Sequence, residues 1–393
     1  MYIEQAQKNL TDWWRYFIGL AIAFAGVLVF SIPHSVALIG KIATGDVDMD
    51  KMQDTSYIMG LFESNLNFLY ILLPFAGGLI FLLFIAVKFL HKQTITNLTT
   101  SRAKIDWSRV AFAFILWGVI STAMTGIDIY FSPDDYVFNF KLNKFLILAV
   151  IAICLVPLQT SFEEYMFRGY LMQGIGNATR IRKSLYYVII TIFCAATYLF
   201  FIYDILIQNL LLNVVLFLCY EYLIIRLLNI FSFSNSFVES VTYQRIYKLF
   251  RTNFTPLFIT SVAFGLLHIA NPEVDKLGNI IMIYYIGTGF FLGILTLMDD
   301  GMELALGFHA ANNLFTALLV TADWTAFQTH SVYKSIADPA SMGVSEIIVP
   351  VFVIFPILLF IFSKKYNWSN WADKLTGKVK DVVVNEEDVW SKR

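Results

Sequence analysis

Apolar residues in this chain gather into runs of about 20, separated by short polar stretches. The runs fall near residues 16–40, 66–90, 108–127, 143–173, 184–203, 208–230, 254–270, 279–298, 304–321 and 345–362. About 20 apolar residues in a helix cross the ~30 Å hydrocarbon core of a bilayer. The pattern therefore predicts an all-α fold, a polytopic transmembrane helical bundle of about ten spans. The fourth run is longer than one crossing needs, which calls for a strong tilt or a helix that continues past the membrane. The seventh, eighth and ninth are short or glycine-bearing. No internal repeat divides the chain into two similar halves. The N-terminal MYIEQAQKNLTDWWRYF leads straight into the first run without a small-residue cleavage site, so that helix is expected to be retained.

The polar stretches carry an orientation. Lys92, Arg102 and Lys104 lie in one loop, Arg180, Arg182 and Lys183 in another, Arg245, Lys248 and Arg251 in a third, and Lys364 and Lys365 after the last run. The intervening loops are poorer in lysine and arginine, and one holds Asp128, Asp134 and Asp135. The positive-inside rule then places both termini in the cytoplasm, as in a bacterial cell membrane. The acidic loop MDDGME on the inner side is a misfit, although acidic residues count for little in that rule. The expected organisation is N-terminal helices over 1–142, a polar-bearing core over 143–325 with an inserted hairpin at 184–230, a last helix within 326–365, and a polar tail over 366–393. A short surface helix is compatible with that tail.

Composition agrees. The chain is 58% hydrophobic and 15% charged, with a net charge of −1, which argues against a nucleic-acid partner and for the lipid bilayer. Cys154, Cys194 and Cys219 are too widely spaced for a disulfide framework or a thiolate metal cluster, and are expected as buried small hydrophobes.

Against this background the stretch SFEEYMFRGY, residues 161–170, stands out. An isolated charge at the bilayer centre costs roughly 2.5–3.5 kcal/mol on insertion scales. Glu164 and Arg168 are four apart and share a helix face, so they can pair. Glu163 has no basic partner within a turn and is free for general acid or base work. A structural ion pair between helices is the bland alternative. Of the five histidines, His34 is expected at an interface, while His91 abuts a loop and His330 lies in one. His268 and His309 sit in apolar runs instead, in SVAFGLLH and LALGFHAANNLF. Phe264 precedes His268 by one turn and would wall the site. Asn312 and Asn313 follow His309, and Asn313 shares its face.

These residue types suit hydrolysis. Glu163 and His268 could hold and deprotonate a water, while His309 and Asn313 could donate to a developing oxyanion. The rival arrangement is zinc held by Glu163, His268 and His309, although HExxH is lacking. The metal-free, cofactor-free site is preferred on chemistry. Ser161 has no histidine nearby in sequence, and GxSxG does not occur. Gly287, Gly289 and Gly293 follow no strand, so close helix packing is the better account of them than a nucleotide loop.

The segments EEYMFR (163–168), FGLLH (264–268) and HAANN (309–313) resemble, in order, the three motifs of the CAAX-protease and bacteriocin-processing (Abi-type) family of intramembrane proteases. The resemblance covers roughly residues 140–325. It implies a water-activating role for Glu163 and His268, an oxyanion role for His309 and Asn313, and a supporting role for Glu164 and Arg168. It implies a core of eight spans, so the stretch 184–230 reads as an inserted pair. The expected partner is a peptide or protein substrate in or at the membrane, cut by an endopeptidase. A non-catalytic peptide-binding or immunity protein using the same cavity is one alternative, and a proton-coupled transporter is another. By loop topology Glu163 lies toward the inner half of its span and His268 toward the outer end, so the seventh helix must be displaced, tilted or partly re-entrant.

Overall fold

The structure, a computed structural model, describes residues 1–52, 57–58, 60–201, 210–230, 233–341 and 343–381. Ten helices are central: α1 (Trp13–Ala43), α2 (Ser64–Leu90), α3 (Trp107–Phe131), α4 (Leu142–Arg180), α5 (Arg182–Phe201), α6 (Leu210–Ile230), α7 (Phe254–Leu266), α8 (Met282–Met298), α9 (Glu303–Leu319) and α10 (Val344–Lys365). Each apolar run becomes a helix because lipid offers no partner to the backbone, which must bond within itself. Seven helical stretches among the described residues are long and apolar enough to cross a membrane: α1, α2, α3, α4, α5, α10, and Pro272–Met298, which ends in α8. Large apolar side chains such as Ile32, Phe84, Ile115 and Ile153 point outward, half or more exposed. The chain is an integral, multi-pass membrane protein.

The expected spans near 208–230, 254–270 and 304–321 are helices too, but not among these seven. Helix α7 has 13 residues, about 20 Å at 1.5 Å per residue, less than a bilayer core. It passes through a 3₁₀ turn, Leu267–Ala270, and a short helix, Pro272–Leu277, before Gly278 takes a left-handed φ of 71° and the chain reverses toward α8. His268 lies in that 3₁₀ turn, beyond the regular helix.

Helix α4 runs unbroken for 39 residues, so the fourth run does exceed one crossing. Its middle, Tyr165–Leu171, winds as a π-helix, a form found mostly at functional sites. Helix α4 packs against α2 and α9, α9 against α3, α1 against α2, and α7 against α8. The α7–α8 approach depends on glycine: a Cβ on Gly289 would collide with the Ser261 backbone, and one on Gly293 would meet Leu257 at 2.5 Å. The glycines of α8 thus serve close packing, as the sequence suggests.

Three features depart from the pattern. The first residues form a buried 3₁₀ helix, Ile3–Lys8, with Tyr2 only 1% exposed and its hydroxyl donating to the Leu98 carbonyl. Short strands β1 (Tyr136–Phe138), β2 (Val320–Thr321) and β3 (Tyr333–Ser335) form a small sheet, in which β3 pairs antiparallel with β1 and parallel with β2. Cys194 is buried as expected, but Cys154 and Cys219 are exposed on outward helix faces, where an apolar thiol is at home in lipid. Of the tail, Trp371–Thr376 is a short helix, and residues 382–393 lie outside the described residues.

Candidate active site

Four helices supply the polar residues. The last two turns of α4 before its π-helical segment carry Gln159, Glu163 and Glu164, and the π-helical segment carries Arg168. Arg168 and Glu164 are both wholly buried and pair at 3.0 Å. Arg168 also donates to the Gly289 carbonyl at 3.2 Å and lies 4.1 Å over the Phe264 ring. One guanidinium thus joins α4, α7 and α8, and the aromatic face adds a cation–π attraction that strengthens away from water.

Helix α9 brings His309 between the two glutamates. Its Nδ1 lies 2.8 Å from Glu164 Oε1, and its Nε2 lies 3.5 Å from Glu163 Oε2. Glu163 is therefore not isolated, as its sequence neighbourhood implies. Gln159, one turn before it, donates to its Oε1 at 2.5 Å. Gln159 in turn accepts from Asn313 at 3.0 Å. Asn312 donates to the Asn313 carbonyl oxygen and accepts from the Trp117 indole of α3, both at 3.1 Å. The result is a hydrogen-bonded chain from α3 through α9 to Glu163. The network leaves capacity unused: Glu163 Oε2, Glu164 Oε2 and Arg168 Nε are buried without a hydrogen-bond partner among the described residues.

His268 stands on the other side. A cavity of about 580 Å³ is lined by Glu163, His268 and Asn271, with Phe264 and Phe162 in its wall and Leu20, Phe24 and Val27 of α1 opposite. His268 does not touch Glu163 directly; the two face one space. Its Nδ1 lies 2.8 Å from the Phe264 carbonyl, an acceptor, so Nδ1 carries the hydrogen and Nε2 is the basic nitrogen of the neutral ring. Beyond it, Glu273 accepts from the Ala326 amide at 2.8 Å and keeps its second oxygen buried without a partner among the described residues. Every predicted site residue thus belongs to one connected region. Gln159, Trp117, Asn271 and Glu273 join it without having been singled out by sequence. A neutral amide or indole in an apolar run gives no charge signal. The one available clue was the spacing of Gln159, four before Glu163.

No group of three or more His, Cys, Asp or Glu side chains converges as a metal-ligand set among the described residues.

Residues 236–315 match the family model described as Type II CAAX prenyl endopeptidase Rce1-like. The match is a partial likeness to a Rce1-like CAAX protease domain, spanning 80 of the 393 residues. The matched part of this domain contains Phe264, His268, His309 and Asn313; the glutamates and Arg168 lie before it. The chain is also 24% identical over 342 residues to the uncharacterized protein YyaK of Bacillus subtilis (strain 168), with 85% of each chain covered. No solved structure matches. The Rce1-like match and the helical architecture agree with the resemblance read from the three motifs.

Proposed function

We propose that this protein is an intramembrane endopeptidase that hydrolyses a peptide bond of a membrane-associated or C-terminal peptide substrate with a glutamate- and histidine-activated water. The observation that carries the reading is the shared cavity: Glu163 and His268, from separate helices, line one space, and His309 reaches Glu163 from a third. A water in that space attacks the peptide carbonyl carbon and gives its proton to Glu163, while His268 Nε2 holds it by accepting a hydrogen bond. The carbonyl oxygen becomes an oxyanion, and His309 and Asn313 donate to it. The Asn313 amide has two N–H groups, of which Gln159 engages one. The tetrahedral intermediate then expels the amine as the C–N bond breaks, and Glu163 returns the proton to the leaving nitrogen. Glu164 and Arg168 hold His309 and the helices in place.

The reading takes the residues as sufficient without a metal or cofactor. It takes the bundle as ten spans in a bacterial cell membrane, with both termini cytoplasmic and the pair over 184–230 added to a core of eight. In the test, purified protein in lipid bilayers is incubated with a library of membrane peptides, with and without a strong chelator, and products are identified by mass spectrometry. New C-termini unaffected by the chelator are expected. Cleavage lost on chelation and regained with zinc would move the site to the metal-dependent class. Saturable binding without any product would make the cavity a peptide-binding site.

A further inference from the structure

His268 is held on three sides. Its Nδ1–H is fixed by the Phe264 carbonyl, and the Phe264 ring leans on the imidazole with centroids 4.9 Å apart at 54°. On its other side lies Tyr285 of α8, nearly parallel at 23° with a centroid separation of 4.6 Å. The Tyr285 hydroxyl accepts from the Asn271 amide at 3.4 Å, and Asn271 lines the same cavity as His268. The need for such a clamp follows from the backbone. His268 lies in a 3₁₀ turn after α7 has ended, and that turn leads into a chain reversal. A side chain there lacks the support of the i→i−4 helix it would otherwise stand on, and 3₁₀ hydrogen-bond geometry is poorer. Aromatic pairs prefer defined relative geometries, which selects one ring orientation.

We propose that Tyr285 is a positioning residue: its ring clamps His268 against Phe264, so that Nε2 of His268 is presented to the cavity. The inference rests on the proposed hydrolysis for its kinetic readout, but not for its structural one. Misplacing a reacting group by about 1 Å costs up to 10²-fold in rate. Tyr285→Leu should therefore lower kcat about tenfold or more with KM within about twofold, while Tyr285→Phe, which keeps the ring face, stays within about twofold of wild type in kcat. Tyr285→Met, similar in volume but without a ring face, should match the leucine variant and replaces it if that protein does not accumulate. The second readout is the rate at which diethyl pyrocarbonate modifies His268, followed by mass spectrometry. Freeing the ring should change that rate at least threefold in the leucine or methionine variant and leave it unaltered in the phenylalanine one. If Leu and Met variants keep wild-type kcat and wild-type modification rate, the clamp is overturned. If the modification rates separate as expected while wild type cleaves nothing, the clamp stands and the hydrolytic reading falls.

Discussion

Among the described residues two buried ionic clusters stand out, and they differ in how fully their carboxylates are satisfied. At the ends of α8 and α9, Asp299 and Glu303 meet Arg102 and Arg109. Asp299 accepts from Arg102 at 3.0 Å, from Arg109, and from the Trp368 indole at 3.0 Å. Glu303 accepts from Arg102 at 3.2 Å and from the Asp106 amide at 3.3 Å. All four carboxylate oxygens have partners. Burial pushes the Asp299 carboxyl up to about 6, against the opposing pull of Arg102, the Trp368 hydrogen bond and Arg109. In the other cluster, Glu163, Glu164 and Arg168 each keep one buried polar atom without a hydrogen-bond partner among the described residues, and Glu163, whose Oε2 lies 3.5 Å from His309, lines a cavity. Buried charge alone does not mark a working site, since ion pairs with buried carboxylates also act as struts. Unspent hydrogen-bonding capacity on several adjoining buried charges is the better marker, because it costs stability that an apolar replacement would recover. The same comparison explains the acidic MDDGME loop: two of its carboxylates are internal counter-ions rather than free loop charges.

The largest effect that tests this contrast is at Glu163. Replacing the base with Glu163→Gln should lower turnover about 10²–10⁴-fold while the thermal transition in detergent moves little, because the amide keeps the Gln159 contact. A matched loss of stability would place Glu163 with the struts instead. Next comes Glu164→Ala, which strands Arg168 with no carboxylate: a loss of about 3–5 kcal/mol is expected by chemical denaturation, with activity falling alongside. Normal yield and normal turnover together would reject the supporting role. Glu303→Ala probes the saturated cluster. Because the Arg102 side chain is 26% exposed and can recover water, about 1–3 kcal/mol of stability should go, with turnover per folded molecule unchanged. A selective loss of turnover would erase the distinction between the clusters.

An effect of similar size is in pH. His91 is buried with both ring nitrogens engaged, by the Leu10 carbonyl at 2.7 Å and the Tyr170 hydroxyl at 2.8 Å. Burial pushes its pKa down to about 4. The unfolded chain takes up the proton first, near pH 6.5, so the histidine's contribution is full above that value, declines as pH falls toward 4, and is lost below it. About 2 kcal/mol should disappear between pH 7 and pH 5 in denaturation experiments, and the slope should vanish in His91→Gln. An identical slope in the variant would assign the acid sensitivity to other groups.

The sequence was most informative where physics leaves few choices. Lipid forces long apolar runs into helices, so their positions were legible, including the overlong α4. The count was harder, because α7 and α9 are too short or too polar at one end to qualify by length and apolarity, although each folds as a helix. Intramembrane charge made Glu163, Glu164 and Arg168 visible. His268 and His309 were visible as imidazoles in apolar runs. What stayed hidden depends on tertiary contact. His91 follows Leu90 at a helix end and looks exposed until the N-terminal segment covers it. Gln159 and Trp117 are neutral, and Tyr285 is one of 20 tyrosines, with nothing local to set it apart. The short length of α7, which stops after 13 residues and leaves His268 in a 3₁₀ turn, also had no local signal.

The most direct test is a single turnover in ¹⁸O-labelled water, with purified wild-type protein and Glu163→Gln side by side on one membrane peptide. The account predicts one labelled oxygen in each new carboxyl, no covalent adduct on the protein, and no product from the variant. An acyl-protein adduct, or cleavage by the variant at the wild-type rate, would contradict it.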